Sequence, residues 1–203
     1  MRITRTAVSA AASVLILAGC QPVDEESLMQ DAEETTAAAP VDASASPTVS
    51  VSEVFQTYDS TAKASTYDPA VPEGSSVQIE VEPEGEGTRF ILIAKGLEPD
   101  RAYGVHLHTA PCGADPNDSG PHYQDKADPN QPSTDPAYAN PENEVWLDLH
   151  TDADGGGSAQ SDVDWKVRPG EAQSVVIHAE HTHTEPGKAG TAGDRLACVQ
   201  VPL

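Results

Sequence analysis

Residues 76–81 read Ser-Val-Gln-Ile-Glu-Val, and residues 89–95 read Arg-Phe-Ile-Leu-Ile-Ala-Lys. In the first stretch Val77, Ile79 and Val81 alternate with polar residues, so all three project from one face of a strand. Glu84-Gly85-Glu86-Gly87 reads as the turn between this strand and a second one over Arg89–Lys95. Further segments of the same kind follow. Gly96–Arg101 turns into a strand over Tyr103–His108, and Val145–Thr151, Ser161–Val167, Ser174–His178 and Leu196–Val201 come later. Ala62–Tyr67 adds an edge strand. About eight short, regularly spaced strands and no helical periodicity predict an all-β fold, a sandwich or barrel. Two connections, Thr109–Asn143 and Ala179–Arg195, are too long for simple turns. Loops of that length in a compact domain are usually functional or disordered.

The remaining composition narrows the class of protein. The chain has 203 residues, with Lys+Arg 11 against Asp+Glu 33, a formal charge of −22. So acidic a chain lacks the basic surface that a nucleic-acid partner requires. Only 4% of residues are aromatic, while Gly 15 and Pro 17 make the chain rich in turns. At the N-terminus Arg2 and Arg5 precede an apolar run from Ala7 to Leu17, too short for the ~20 residues of a membrane-spanning helix. A basic start, a short apolar run and small residues describe an export signal over residues 1–19. Leu17-Ala18-Gly19-Cys20 resembles the bacterial lipobox, in which the cysteine is lipidated and becomes the mature N-terminus. That implies a protein outside the cytoplasm, anchored to a membrane of the bacterial cell envelope through lipid on Cys20. The alternative is an ordinary secretory signal with an incidental cysteine. Residues 20–60 are acidic, then rich in Ala, Thr, Ser and Pro, with few large apolar side chains to offset the entropy of ordering. They read as a flexible tether, which places the folded domain over residues 61–203.

The chain has seven histidines. His106 and His108 stand two apart in a strand, so both imidazoles leave from the same face. His122 follows Gly120-Pro121 in the first long loop, and His178 ends the strand Val175-Val176-Ile177. Four imidazoles brought together from two strands and a loop suit copper by ligand softness. Each histidine taken singly reads as a surface or hydrogen-bonded residue; the joint pattern is what points to a metal.

The order Gly104-Val105-His106-Leu107-His108, Gly120-Pro121-His122, Ser174-Val175-Val176-Ile177-His178 and Arg195-Leu196-Ala197-Cys198 resembles the copper–zinc superoxide dismutase family. The resemblance implies an eight-stranded Greek-key β-barrel or sandwich, with His106, His108, His122 and His178 as copper ligands. It makes Arg195 the residue that attracts and orients superoxide, where the residue by itself reads as a surface salt bridge to Asp194 or a loop carboxylate. Cys112 and Cys198 become the disulfide joining the first long loop to the last strand, which leaves Cys20 for lipid. The activity implied is dismutation of superoxide to oxygen and hydrogen peroxide, with protons supplied through His122 and water.

The chain also departs from the family pattern. Between His122 and His150 there is no histidine, and the zinc-binding segment is replaced by Glu142-Asn143-Glu144-Val145. Asp125, Asp128, Asp135 and Glu142 in the first long loop offer weak binding to a hard cation, but acidic loop residues are usually just solvated. No zinc site is expected, because structural zinc takes four ligands in a closed tetrahedron. His181 and His183 in the second loop read either as an auxiliary copper-loading site or as solvated residues, and His150 as structural. Arg195 and Lys188 are the only cations of that loop, so steering of an anion is expected to be weak. The rival function is a non-catalytic extracytoplasmic copper-binding protein that buffers or delivers the metal.

Overall fold

The computed structural model describes residues 49–203. The export signal, Cys20 and most of the tether lie outside the described residues. Eleven strand segments occur: β1 (Val49–Val54), β2 (Gln56–Thr57), β3 (Ala64–Thr66), β4 (Ser76–Glu84), β5 (Gly87–Lys95), β6 (Ala102–Tyr103), β7 (Val105–His108), β8 (Leu149–His150), β9 (Gly157–Val163), β10 (Ser174–His178) and β11 (Arg195–Gln200). One sheet runs β1-β4-β5-β9 and a second runs β2-β3-β11-β10-β7, with β6-β8 as a short ribbon. After the first long loop, β9 returns to lie beside β5, so the strands follow a Greek key. The hydrogen-bonded ladders leave two separate sheets, and the form is a sandwich.

The core follows from the alternation. Val77, Ile79 and Val81 of β4 meet Phe90, Leu92 and Ala94 of β5, and from the facing sheet come Val105, Leu107, Val175, Ile177, Ala197 and Val199. Each pair in the β4–β5 ladder, such as Ile79 opposite Leu92 and Val81 opposite Phe90, sends both side chains inward. The face of β7 and β10 turned away from this core is the one that bears the histidines.

Three boundaries differ from the sequence reading. β1 and β2 fall within residues 20–60, so the fold begins by Val49 rather than at Thr61. Val49 and Val51 are half-buried and pair with Val81 and Ile79, which gives a chain otherwise poor in apolar residues enough contact to order. β9 covers Gly157–Val163 rather than Ser161–Val167, because the glycine run supplies the first ladder partner, Gly157 opposite Ala94. The stretch from Val145 to Thr151 pairs only at Trp146, opposite His106, and along β8. Its neighbours there are the short strands β7, through Val105 and His106, and β6. The first long loop also contains one 3₁₀ turn, Pro116–Ser119, capped at its N-terminus by Asp115.

Candidate metal centre

His106 and His108 leave the outer face of β7 and His178 leaves the end of β10, its neighbour in the sheet. His122 is delivered by the loop, which returns to make an antiparallel bridge with His108. Gly120 permits that return. Its φ of 74° is left-handed, and a Cβ there would lie 2.7 Å from Thr109 Oγ1. All four predicted imidazoles come together, each offering one nitrogen within 4.8 Å of the others. His106, His108 and His178 are buried, and His122 is half-buried.

The hydrogen bonds decide which nitrogens face inward. His108 Nδ1 lies 2.9 Å from Gly120 O and His178 Nδ1 lies 3.3 Å from Gly193 O. A carbonyl only accepts, so both Nδ1 atoms carry the proton and both Nε2 atoms present lone pairs. Those two Nε2 atoms stand 3.3 Å apart. His106 Nδ1 is buried with no hydrogen-bond partner among the described residues. Two facing lone pairs and one orphaned buried nitrogen are satisfied together by a cation between them. A proton is the poorer candidate, because burial pushes the pKa of His106 and His108 well below the histidine range and that of His178 down to about 3, each helped by the neighbouring His122. Neutral imidazoles are the form that binds a metal, and four of them without a carboxylate match copper. The donor set therefore fits copper.

The other side of His122 is occupied. Its Nδ1 donates to Glu144 Oε2 at 3.0 Å, and Trp146 Nε1 donates to the same oxygen at 2.7 Å. Gln124 Nε2 donates to Glu144 Oε1 at 2.7 Å. Glu144 is 1% exposed, so this carboxylate is a buried acceptor for three side-chain donors. Asp148 lies close by, 3.8 Å from His106 Nε2. Neither acid was singled out from the sequence, but the signal was there. Val145, Leu147 and Leu149 point into the core, so Glu144, Trp146 and Asp148 share the opposite face.

The carboxylates that were considered do not gather. Asp125 pairs with Arg168, and Asp128 accepts from Ser133 and Asn130. Asp135 accepts from the Ala137 N–H, and Glu142 is exposed. Among the described residues the four histidines are the one group of this kind able to hold a metal. His181 faces Asp148 at 3.1 Å, His183 lies between Glu180 and Glu185, and His150 is exposed on β8.

Arg195 makes no salt bridge to Asp194. Its Nη1 donates to Ser119 Oγ at 2.8 Å and to Pro116 O at 3.3 Å, on the 3₁₀ turn of the first loop. Nε and Nη2 have no hydrogen-bond partner among the described residues. With His122, His178 and Gly193, Arg195 lines a hollow of about 300 Å³. Burial lowers its pKa while Asp115 opposes the shift, and a guanidinium stays charged at neutral pH all the same. The predicted disulfide, Cys112–Cys198, is present. It ties the loop carrying this turn to β11, the strand carrying Arg195.

The family model for copper/zinc superoxide dismutase (SODC) matches residues 74–201, the stretch that contains all four histidines, both bridged cysteines and Arg195. Among solved structures, a Cu/Zn superoxide dismutase from Brucella abortus is 18% identical and covers 75% of this chain and 99% of its own, with TM-score 0.49. A double mutant of a SOD-like protein from Bacillus subtilis is 19% identical and covers 64% and 91%, with TM-score 0.47. No curated protein matches the chain. Since the family model spans well over half of its length, this chain belongs to the copper/zinc superoxide dismutase family.

Proposed function

We propose that this protein is a superoxide dismutase that uses copper without zinc, outside the cytoplasm. The observation that carries the reading is one hollow lined both by His122 and His178 of the four-histidine cluster and by a guanidinium whose Nε and Nη2 have no hydrogen-bond partner among the described residues. His106, His108, His122 and His178 would hold the ion. When bound, copper supplies one-electron transfer, from one superoxide and to the next, yielding oxygen and, with two protons, hydrogen peroxide.

The chain's own groups do the rest. Arg195 offers Nε–H and Nη2–H to an anion, and the anchoring of Nη1 on Ser119 and Pro116 fixes their direction before the anion arrives. Gly193 O and Gly120 O keep the imidazoles of His178 and His108 oriented. Glu144 holds the His122 proton on Nδ1, so that only Nε2 faces the cluster. That contact supports the absence of zinc. The nitrogen a second ion would need already donates to a buried carboxylate, itself committed to Gln124 and Trp146. Protons for peroxide come from water on the open side of the hollow, which His122 lines.

Dismutation by protein loaded with copper alone, in excess chelator, tests the reading. Chelator-resistant turnover is expected, unchanged by added zinc. Arg195→Ala should lower kcat/KM about tenfold, roughly 1.4 kcal/mol of transition-state binding, with copper content unaltered. Tight copper binding without turnover would establish the non-catalytic copper-binding protein instead. Loss of copper in Arg195→Ala would show that this residue supports the metal and not the substrate.

The reading includes export, a lipid on Cys20 and a tether that lets the sandwich stand off the membrane. The Arg2 and Arg5 start, the apolar run and Leu17-Ala18-Gly19-Cys20 support it. Cys20→Ala is expected to shift the protein from the membrane fraction to the soluble extracytoplasmic fraction. Unchanged membrane retention would remove the lipid from the account.

A further inference from the structure

Thr182, buried in the second long loop, places its hydroxyl between two partners. Oγ1 lies 2.7 Å from His106 Nε2 and 2.7 Å from Asp148 Oδ1. A threonine hydroxyl has a single proton to give. Asp148 decides where it goes. Its Oδ1 also accepts the Val105 N–H at 3.2 Å, and its Oδ2 accepts the Thr182 N–H at 2.9 Å. His181 Nδ1 approaches Oδ2 at 3.1 Å from the solvent side, with its side chain 65% exposed. With donors on both oxygens, the carboxylate takes the Thr182 proton as well. The hydroxyl oxygen is then left to accept, and His106 Nε2 is the donor that meets it.

We propose that Thr182, held by Asp148, is the positioning residue that fixes His106 with its proton on Nε2 and so reserves Nδ1 for the metal. His106 differs in this from its neighbours. His108 and His178 are oriented by backbone carbonyls through Nδ1, whereas His106 is oriented through Nε2 by a side chain carried on a loop. The loop reaches it because Gly104 has no side chain. A Cβ at Gly104 would lie 2.6 Å from Ala192 Cβ, 2.8 Å from Glu180 O and 3.0 Å from Thr182 Oγ1. Groups that orient a metal-binding histidine through its second nitrogen typically change metal affinity by 10–100-fold when removed. The consequence for copper rests on the copper reading above; the tautomer does not.

Nitrogen NMR of the metal-free full chain reads the tautomer directly, through the ring ¹⁵N shifts of His106. The wild type is expected to show one species, protonated at Nε2 and unprotonated at Nδ1. Thr182→Val removes the acceptor with little change of shape and should give mixed tautomers, and Thr182→Ser should restore the single one. Copper binding, followed by competition with a chelator, should weaken about tenfold or more in Thr182→Val and recover in Thr182→Ser. A wild-type His106 protonated at Nδ1 overturns the proposal without recourse to any variant. Wild-type copper affinity in a folded Thr182→Val overturns the positioning role and leaves the copper reading standing. A wild type with the expected tautomer but no copper affinity overturns the copper reading itself.

Discussion

Replacing Cys112 and Cys198 together by serine is expected to lower the stability of the folded protein by about 4 kcal/mol. The two residues are separated by 86 positions, so the bridge removes a long loop from the freedom of the unfolded chain. Both cysteines are buried, and they pack with Val176 and Tyr67 on the outer side of the second sheet. Two serine hydroxyls in that place also bring polar atoms into an apolar contact. Gln200 bonds both the N–H and the carbonyl of Cys112, and Tyr67 donates to Gly113 O, so the loop is not held by sulfur alone. Urea denaturation of the double variant measures the loss. A loss below about 1 kcal/mol would mean that these hydrogen bonds, not the bridge, keep the loop in place. Turnover should fall with stability, because the same loop carries the Ser119 and Pro116 acceptors of Arg195.

Acidification of the metal-free protein is the second large effect. His178 is 4% exposed, and burial, with help from His122, takes its pKa down to about 3. In the unfolded chain the same residue titrates near 6.5. Between these values the unfolded state binds a proton that the folded state refuses, so stability falls as pH falls. The contribution is whole above about pH 6.5 and has gone by about pH 3, with a slope near 1.4 kcal/mol per pH unit. For His178 alone that amounts to something on the order of 5 kcal/mol, and His106 and His108 shift in the same direction. Urea midpoints at several values between pH 7 and pH 4.5, compared with His178→Gln, isolate the histidine share from that of the carboxylates. Equal slopes in the two proteins would show that water reaches His178 and that the cluster is not dry.

Much of this protein is set by local pattern. Alternation in residues 76–81 and 89–95 determines two strands and the face they bury, because a strand's side chains repeat every two residues and a core admits only one face. The same period puts His106 and His108 on one side of β7, and the cysteines at 112 and 198 meet as the family pattern implied. It also runs through Glu144, Trp146 and Asp148, whose importance lies in what they meet. A carboxylate is buried only where donors surround it. Those of Glu144 come from Gln124, His122 and Trp146, two of them twenty or more positions away. The strand Val49–Val54 shows the same dependence on a distant partner. Its three valines look like part of an acidic tether until β4 offers an edge for them to pair with.

Arg195 marks the boundary between what the sequence determines and what the fold decides. Strict alternation along β11 would turn Leu196 outward with Cys198 and send Arg195 toward the core. A bulge between Ile177 and His178 breaks that register, so that Ile177 pairs with Ala197 and His178 with Arg195. Leu196 joins the core and the guanidinium comes out beside the histidines. Strands β4 and β5, the histidine face of β7 and the acidic character were determined by the sequence alone, because each depends on residue type and spacing within a few positions. The position of Arg195, the engagement of His122 by Glu144 and the proton on His106 were decided by tertiary structure. Each depends on which atom of a distant segment arrives within hydrogen-bonding distance, and no period along the chain encodes that.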